Sequence, residues 1–341
     1  MSLFILPWRE IALLRTKCNQ MIRKLFNILV ATTLVLSFPM GCKNKPKKNQ
    51  RTDTYSSGTI KFVSDESFKP IIEEEVDVFE HIYPNADLIP EYTNELDAVN
   101  MVMKTERFLA ITSRRFTEEE IQNLKDRRFL PFSIPIAYDG LALSINNANT
   151  DSVISIQDVK EILKGKLTKW NELNPESKLG DIEVAFDNKQ SSTVHYCVDS
   201  LLDGKPINSP NIYAVNKSAE VIDFVEKHPN SIGIIGSNWL NDKRDTTNVT
   251  FKRNIRVMAV SKLKPATVEN SWKPYQYYLY TGYYPMIRTI YALLNDPIRG
   301  LPTGFTNFMT NDHRGQLIIH KAGLLPYRAN VQVREVNVST E

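Results

Sequence analysis

An α/β fold, with a mostly parallel sheet and helices on both of its faces, is what this chain predicts, and three observations carry the prediction. Near the start, apolar strands are followed three times in succession by amphipathic helices. The same order returns in the middle, where Asp139-Gly140-Leu141-Ala142-Leu143-Ser144-Ile145-Asn146 leads through an Asn-rich turn to a helix over Ile156 to Leu163. Further on, a helix over Val221 to Lys227 precedes Ser231-Ile232-Gly233-Ile234-Ile235-Gly236, a short apolar run of the kind that forms a fully buried strand.

Taken in order, Gly58 to Ser64 alternates as a strand. Asp65-Glu66-Ser67-Phe68-Lys69-Pro70 then opens a helix with Ile71, Ile72, Val76 and Phe79 on its apolar side. Asp87 to Tyr92 is a second strand, with a helix over Glu95 to Thr105. Arg107 to Thr112 is a third, ending at Ser113-Arg114-Arg115 before a helix whose Thr117 and Glu120 have capping-box spacing. Phe132 to Ala137 is an extended, proline-marked crossing segment into the strand at Asp139. Ile182 to Phe186 is a further strand, and its loop, Asp187 to Thr193, leads to a helix through Leu202. Ile255 to Val260 is expected to be the return crossing. The aromatic run Tyr275 to Pro285 is of a kind that lines a sugar or nucleobase site or packs in a core. No internal repeat is visible.

Met21-Ile22-Arg23-Lys24, the apolar stretch Leu25 to Phe38 and Gly41-Cys42 read as a lipoprotein signal, the stretch being short for a bilayer span. Residues 1–41 are then leader and signal, with translation starting at Met21. Cys42 would carry the lipid, and residues 42–57 form a polar tether and membrane anchor. The rival reading is an ordinary signal peptide or an uncleaved anchor. Besides Cys42 only Cys197 remains after cleavage, so no internal disulfide is available. The 42 Lys and Arg against 39 Asp and Glu give a net charge of +3, much of it in the leader and tether. The folded part is near neutral and offers no basic stripe for nucleic acid. About 280 to 290 residues follow the tether, enough for two lobes with their own cores.

Gly165-Lys166-Leu167-Thr168 imitates half of a nucleotide-binding loop. It lacks the earlier glycine and follows a helix, so no ring of N–H groups faces a phosphate. His81, His228, His313 and His320 have no metal-ligand spacing, and no cofactor or metal is expected. Ser191 and His195 are one helical turn apart, but a third catalytic member is missing. In an α/β protein ligands bind where loops at strand ends meet helix starts. The candidates are Ser64, Asp65, Ser67 and Phe68, then Asn94 and Glu95, then Ser113 and Arg114, and finally Ser191, Ser192 and Thr193. Three consecutive hydroxyl donors suit an oxyanion, although a helix cap needs only one of them. Asp139 either touches ligand or ties the crossing strands.

The strand–helix unit at Asp139, its Gly-Lys-x-Thr-x-Trp-Asn tail and the ordered run Thr303-Gly304-Phe305, Arg314-Gly315-Gln316 and Ala322-Gly323-Leu324-Leu325-Pro326 resemble the PstS-like phosphate-binding proteins. The resemblance extends from Gly58 to about Val338. It implies a type II periplasmic-binding-protein fold, with residues 58–136 and 259–338 as the first lobe, 137–258 as the second, two hinge strands crossing between them and the aromatic run Tyr275 to Pro285 packed on the first lobe's sheet. It also implies a monomeric, non-enzymatic receptor on the outer side of a membrane, which captures inorganic phosphate or a similar oxyanion for an ABC permease. Ser191-Ser192-Thr193 stands where the family has a Ser-Gly-Thr turn that holds phosphate. The chain departs from the family at Asp187, where an arginine is usual, and at Thr93 to Asp97, which replaces a Ser/Gly-rich turn. Those acidic substitutions motivate a rival, an interaction or sensing module of an envelope complex that has lost phosphate binding. A phosphatase, resting on Ser191 and His195, is the remote alternative.

Overall fold

The computed structural model describes residues 51–241 and 251–328, so Cys42, the leader and most of the tether lie outside the described residues. Strand β1 (Gly58–Asp65) ends in a single 3-10 turn, Glu66–Phe68, and helix α1 (Lys69–Ile82) carries Pro70 in its first turn, where the missing N–H costs nothing. β2 (Ala86–Thr93), α2 (Glu95–Met103), β3 (Leu109–Thr112) and α3 (Glu118–Asp126) complete the repeated units. The Thr117/Glu120 capping box forms as the spacing predicts. β2 and β3 both pair with β1 in parallel, the arrangement that connections through a helix allow.

β4 (Phe132–Asn146) is one strand of 15 residues that serves both lobes. In the second lobe lie β5 (Val153–Ser155), α4 (Ile156–Leu163), α5 (Trp170–Leu173), β6 (Glu183–Phe186) and α6 (Ser192–Tyr196), which widens at Cys197–Leu201. β7 (Ile212–Ala214), α7 (Ser218–Lys227), β8 (Ser231–Gly236), β9 (Ile255–Val257), β10 (Ala259–Ser261), β11 (Ser271–Trp272) and α8 (Gln276–Tyr280) follow. β12 (Ile287–Leu294), α9 (Leu301–Asn311), α10 (His313–Lys321) and β13 (Leu325–Pro326) end the described chain. The main sheet runs β2-β1-β3-β12-β4-β8-β6-β7. Parallel pairs thus occupy its two outer parts, and antiparallel β12 and β4 cross its middle.

Two expectations are corrected. Ile255 to Val260 does not return to the first lobe, because β9 pairs with Ser144 to Asn146 and β10 with β5, both in the second. The return strand is β12, whose two edges hold β3 and β4. The aromatic run also stays in the second lobe's core: Leu279 and Tyr284 pack with Leu141 and Leu143, and the Tyr284 hydroxyl donates to the Leu141 carbonyl at 2.5 Å. Gly140 allows this approach, since a Cβ there would lie 2.6 Å from Pro274 Cβ.

Each lobe has a separate core. In the first, Phe62 and Phe79 meet Phe305 with ring centroids 5.4 Å apart, and Phe79 meets Phe308 at 5.3 Å. Such tilted and edge contacts add about 0.5 to 1.5 kcal/mol each beyond area burial. In the second, Trp170 is fully buried and its indole N–H donates to the Asn230 carbonyl at 2.8 Å, which makes the Gly-Lys-x-Thr-x-Trp tail structural. Gly165 holds φ at +72°, the left-handed turn that ends α4. No helix among the described residues is long and apolar enough to cross a membrane.

Candidate functional site

Strand ends and helix starts from the two lobes converge on Asp65, the last residue of β1. Its Oδ1 accepts the Ser67 N–H at 2.9 Å and its Oδ2 accepts the Ser192 N–H, from the first residue of α6, also at 2.9 Å. Ser67 continues the crossing: its hydroxyl donates to Asp187 Oδ2 at 2.9 Å, and its carbonyl accepts Asn238 Nδ2 at 3.2 Å and Trp239 Nε1 at 2.9 Å. On one side, Glu66 Oε2 takes the N–H and hydroxyl of Ser218, at the start of α7, at 3.0 and 2.7 Å. On the other, Glu95 Oε1 takes the N–H and hydroxyl of Ser113 at 2.6 and 2.8 Å, while its Oε2 lies 2.8 Å from His195 Nδ1. First-lobe carboxylates therefore span the cleft and hold second-lobe donors.

Beneath this layer the crossing strands bring together Asp139 of β4 and Arg288 of β12, both buried. Asp139 Oδ1 accepts the Ser237 N–H and hydroxyl at 3.0 and 2.9 Å, and Oδ2 accepts Arg288 Nε at 2.9 Å, with Nη2 at 2.8 Å. Arg288 Nη1 donates to the Ser192 hydroxyl at 2.7 Å and, at 3.4 Å, to that of Thr193. Its guanidinium lies 4.6 Å from the Phe68 ring centroid, a cation–π contact with a fully buried ring. A Cβ at Gly236 would come within 2.9 Å of both Arg288 Nη2 and Asp139 Oδ2, so any side chain there would displace the pair.

The acids differ in their protonation. Burial, reinforced by the charges of Glu95 and Asp187, pushes Asp65 up to about 6, against the hydrogen bonds from Ser192 and Ser67. Burial also raises Glu66. It acts the same way on Glu95, but the bonds from His195 and Ser113 outweigh it and leave Glu95 below its ordinary value. The same contact raises His195. Cys197, fully buried beneath α6, is pushed up to about 12 by desolvation and is a core thiol.

The structure brings together Asp65, Ser67, Phe68, Glu95, Ser113, Asp139, Ser192 and Thr193 from the residues the sequence nominated. Others have local duties. The Ser64 hydroxyl donates to the adjoining Asp65 carbonyl, and Asn94 caps α2 through the Asp97 N–H. Arg114 is committed to Glu120 through two bonds of 2.8 Å. Ser191 is the cap of α6, its hydroxyl accepting the Val194 N–H at 3.3 Å, so the three-hydroxyl cluster divides into one cap and two cleft residues. His195 faces Glu95 and not the Ser191 hydroxyl, so the one-turn spacing of Ser191 and His195 makes no nucleophile–base contact. Asp139 ties β4 to β12 and to the Ser237 turn. Sequence reasoning missed Arg288, Ser218 and the Ser237–Trp239 turn. Arg288 left one signal, the lone charged residue in the mostly apolar strand Ile287 to Leu294.

A PBP superfamily domain model matches residues 49–313, and the chain belongs to that superfamily. Its similarities lie with the PstS-like members. The phosphate-binding protein PstS of Borreliella burgdorferi is 23% identical over 308 residues, covering 87% of this chain and 97% of that protein. PstS of Staphylococcus saprophyticus is 24% identical over 199 residues, 58% of this chain. This match and that to the Staphylococcus haemolyticus protein span only 57% and 59% of those relatives' lengths. Among solved structures, a putative phosphate ABC transporter substrate-binding protein with bound phosphate from Clostridium perfringens superposes with a TM-score of 0.63 at 19% identity, over 79% of this chain and 99% of that one. An ABC-type phosphate transport receptor from Vibrio cholerae gives 0.59 at 17% identity, over 78% and 99%. At these identities the superpositions speak for the shared fold.

Proposed function

We propose that this protein is an extracytoplasmic receptor that closes its two lobes around a small oxyanion, inorganic phosphate first among the candidates, and delivers it to an ABC-type importer. One observation carries the reading: two backbone N–H groups from opposite lobes, those of Ser67 and Ser192, already converge on the oxygens of a single carboxylate. Donors arranged to satisfy the oxygens of Asp65 are the donors an oxyanion requires. The Ser192 and Thr193 hydroxyls, backed by Arg288, add polarity at the same point. PstS relatives and the phosphate transport receptors that share the fold support phosphate. Lipid attachment at Cys42, an envelope location and a monomeric state belong to the same proposal, as does a division into two lobes in which the chain re-enters the first at β12 and not at residue 259. A receptor needs no bond-making step, and lobe closure around the ligand supplies the signal to the importer.

A second reading has its own observation. Asp65, Glu66, Glu95 and Asp187 crowd one cleft, and such a concentration of carboxylates repels a dianion. It favours an envelope interaction or sensing module that keeps the closed shape without phosphate. Calorimetric titration of the delipidated chain with phosphate, sulfate and arsenate at pH 5.5 and 8 separates the two. Saturable phosphate binding at either pH supports the receptor; heats at the level of dilution for all three anions at both pH values refute it.

A further inference from the structure

We infer that Asp65 is an internal competitor for the oxyanion site: its carboxylate takes the donors of Ser67 and Ser192, and a ligand binds by displacing it. The competition with phosphate rests on the oxyanion reading above, whereas the occupancy of the donors by Asp65 does not. Both carboxylate oxygens are used, each by a backbone N–H at 2.9 Å, and the two N–H groups belong to different lobes. Asp65 is 1% exposed, so the bonds are made away from water, where a charge-assisted hydrogen bond is strong and an unpaired amide is costly. A ligand oxygen cannot reach either donor while the carboxylate is on it. The Asp65 side chain therefore sets how much affinity the other donors can express.

The surroundings determine the conditions of exchange. From its own loop Asp65 has Glu66 for a neighbour, from α2 Glu95, from α6 His195 and from the end of β6 Asp187, with the Arg288–Asp139 pair behind Ser192. Acids outnumber bases here, so adding an anion while Asp65 stays ionised raises the repulsion further. Protonating Asp65 as it leaves removes one negative charge for each monoanion that enters. Burial and the charges of Glu95 and Asp187 already raise Asp65 where it stands, so its hold on the two donors weakens as the pH falls. Exchange is thus charge-conserving when Asp65 takes a proton from solvent, and anion affinity rises as the pH falls toward 6.

Asp65→Ala on the full chain tests this with two probes, formate and inorganic phosphate. Formate reproduces the deleted carboxylate and fits the space it leaves. It should raise the melting temperature of Asp65→Ala saturably and leave wild type unmoved. Phosphate should bind Asp65→Ala at least about tenfold more tightly than wild type at pH 8, and the gap should shrink toward pH 6. A role confined to packing would not produce formate rescue or alter the pH profile. Formate rescue without phosphate binding to either protein would uphold Asp65 as the occupant of an oxyanion-shaped donor set and reject phosphate as the ligand. Folded Asp65→Ala that gains nothing from formate, or binds phosphate no more tightly than wild type when wild type binds it, overturns the inference. Asp65→Asn serves as the folding control: it keeps the volume and one acceptor oxygen, and should show no formate rescue.

Discussion

Arg288→Met tests the junction between the lobes. Methionine preserves most of the aliphatic volume of arginine and removes the guanidinium. Asp139, fully buried, would then keep only the Ser237 N–H and hydroxyl on Oδ1, and Oδ2 would lose its contacts with Nε at 2.9 Å and Nη2 at 2.8 Å. Stranding one partner of a buried ion pair costs about 3 to 5 kcal/mol. The Ser192 hydroxyl also loses the 2.7 Å donor that fixes it beside the cleft, and Phe68 its cation. For a domain of this size each kcal/mol moves the melting temperature by about 2 °C, so Arg288→Met should melt about 6 to 10 °C lower. Removing the stranded charge should restore part of the loss, so the pair Arg288→Met with Asp139→Asn should melt higher than Arg288→Met alone. Calorimetric melts of wild type, both single variants and the double variant at pH 7.5 give the cycle. A loss below about 2 °C for Arg288→Met, or a double variant no more stable than it, would refute the assignment of Asp139 and Arg288 as a buried pair joining the crossing strands.

Two further expectations concern α6. Ser191→Ala should cost about 1 kcal/mol of stability, as the loss of a cap does, and leave anion affinity within about twofold of wild type; a tenfold loss of affinity in titration would return Ser191 to the cleft. The Glu95–His195 contact should be pH-limited on both sides. His195 is raised in the fold, so its contribution is complete below the ordinary histidine range near 6.5 and is lost as pH rises through its raised value. Glu95 is lowered, so its contribution is complete above the ordinary range near 4.5 and is lost as pH falls through its lowered value. The melting-temperature difference between wild type and His195→Gln should therefore be largest from about pH 4.5 to 6.5 and narrow toward pH 9. A difference that stays constant from pH 6 to 9 would mean that the contact carries no charge.

Local signals in the sequence were reliable wherever a residue's partner lies within a few positions. Thr117 and Glu120 formed their capping box, and Ser231 to Gly236 formed the strand their apolar run predicted. The crossing strand was another matter. Ile255 to Val260 reads as the return crossing, whereas Ile287 to Leu294, which holds that place, went unassigned, and what separates the two stretches is the neighbours each pairs with, β4 and β5 against β3 and β4. Pattern along one strand carries no information about its partner. The site was half legible for the same reason. Ser67, Ser192 and Asp65 stood out as polar residues at helix starts. The bonds that give them meaning, Asp65 to Ser192 and Arg288 to Asp139, join residues separated by 127 and 149 positions. Hydroxyl count also misled: Ser191, Ser192 and Thr193 look equivalent in sequence, yet the first turn of a helix aims one at its own backbone and the others toward Arg288.

The path of β12 bears on the order in which the protein acquires its structure. A chain made from its N-terminus supplies β1, β2 and β3 first, but Phe62 and Phe79 pack on Phe305, and Phe79 also on Phe308, which come much later. The inner edge of β3 likewise stays unpaired until Ile287–Leu294 arrives. Most of the second lobe's core, by contrast, comes from the continuous stretch between Leu141 and Tyr284. The part synthesised first is thus completed last, and in the interval it presents an apolar sheet with an open edge, the form in which partly folded chains aggregate. Chains shortened before Ile287 would keep that edge and face exposed for their whole lifetime, and chains ending between Leu294 and Phe305 the face alone, so loss of the C-terminal helices uncovers the half of the molecule most distant from them in sequence.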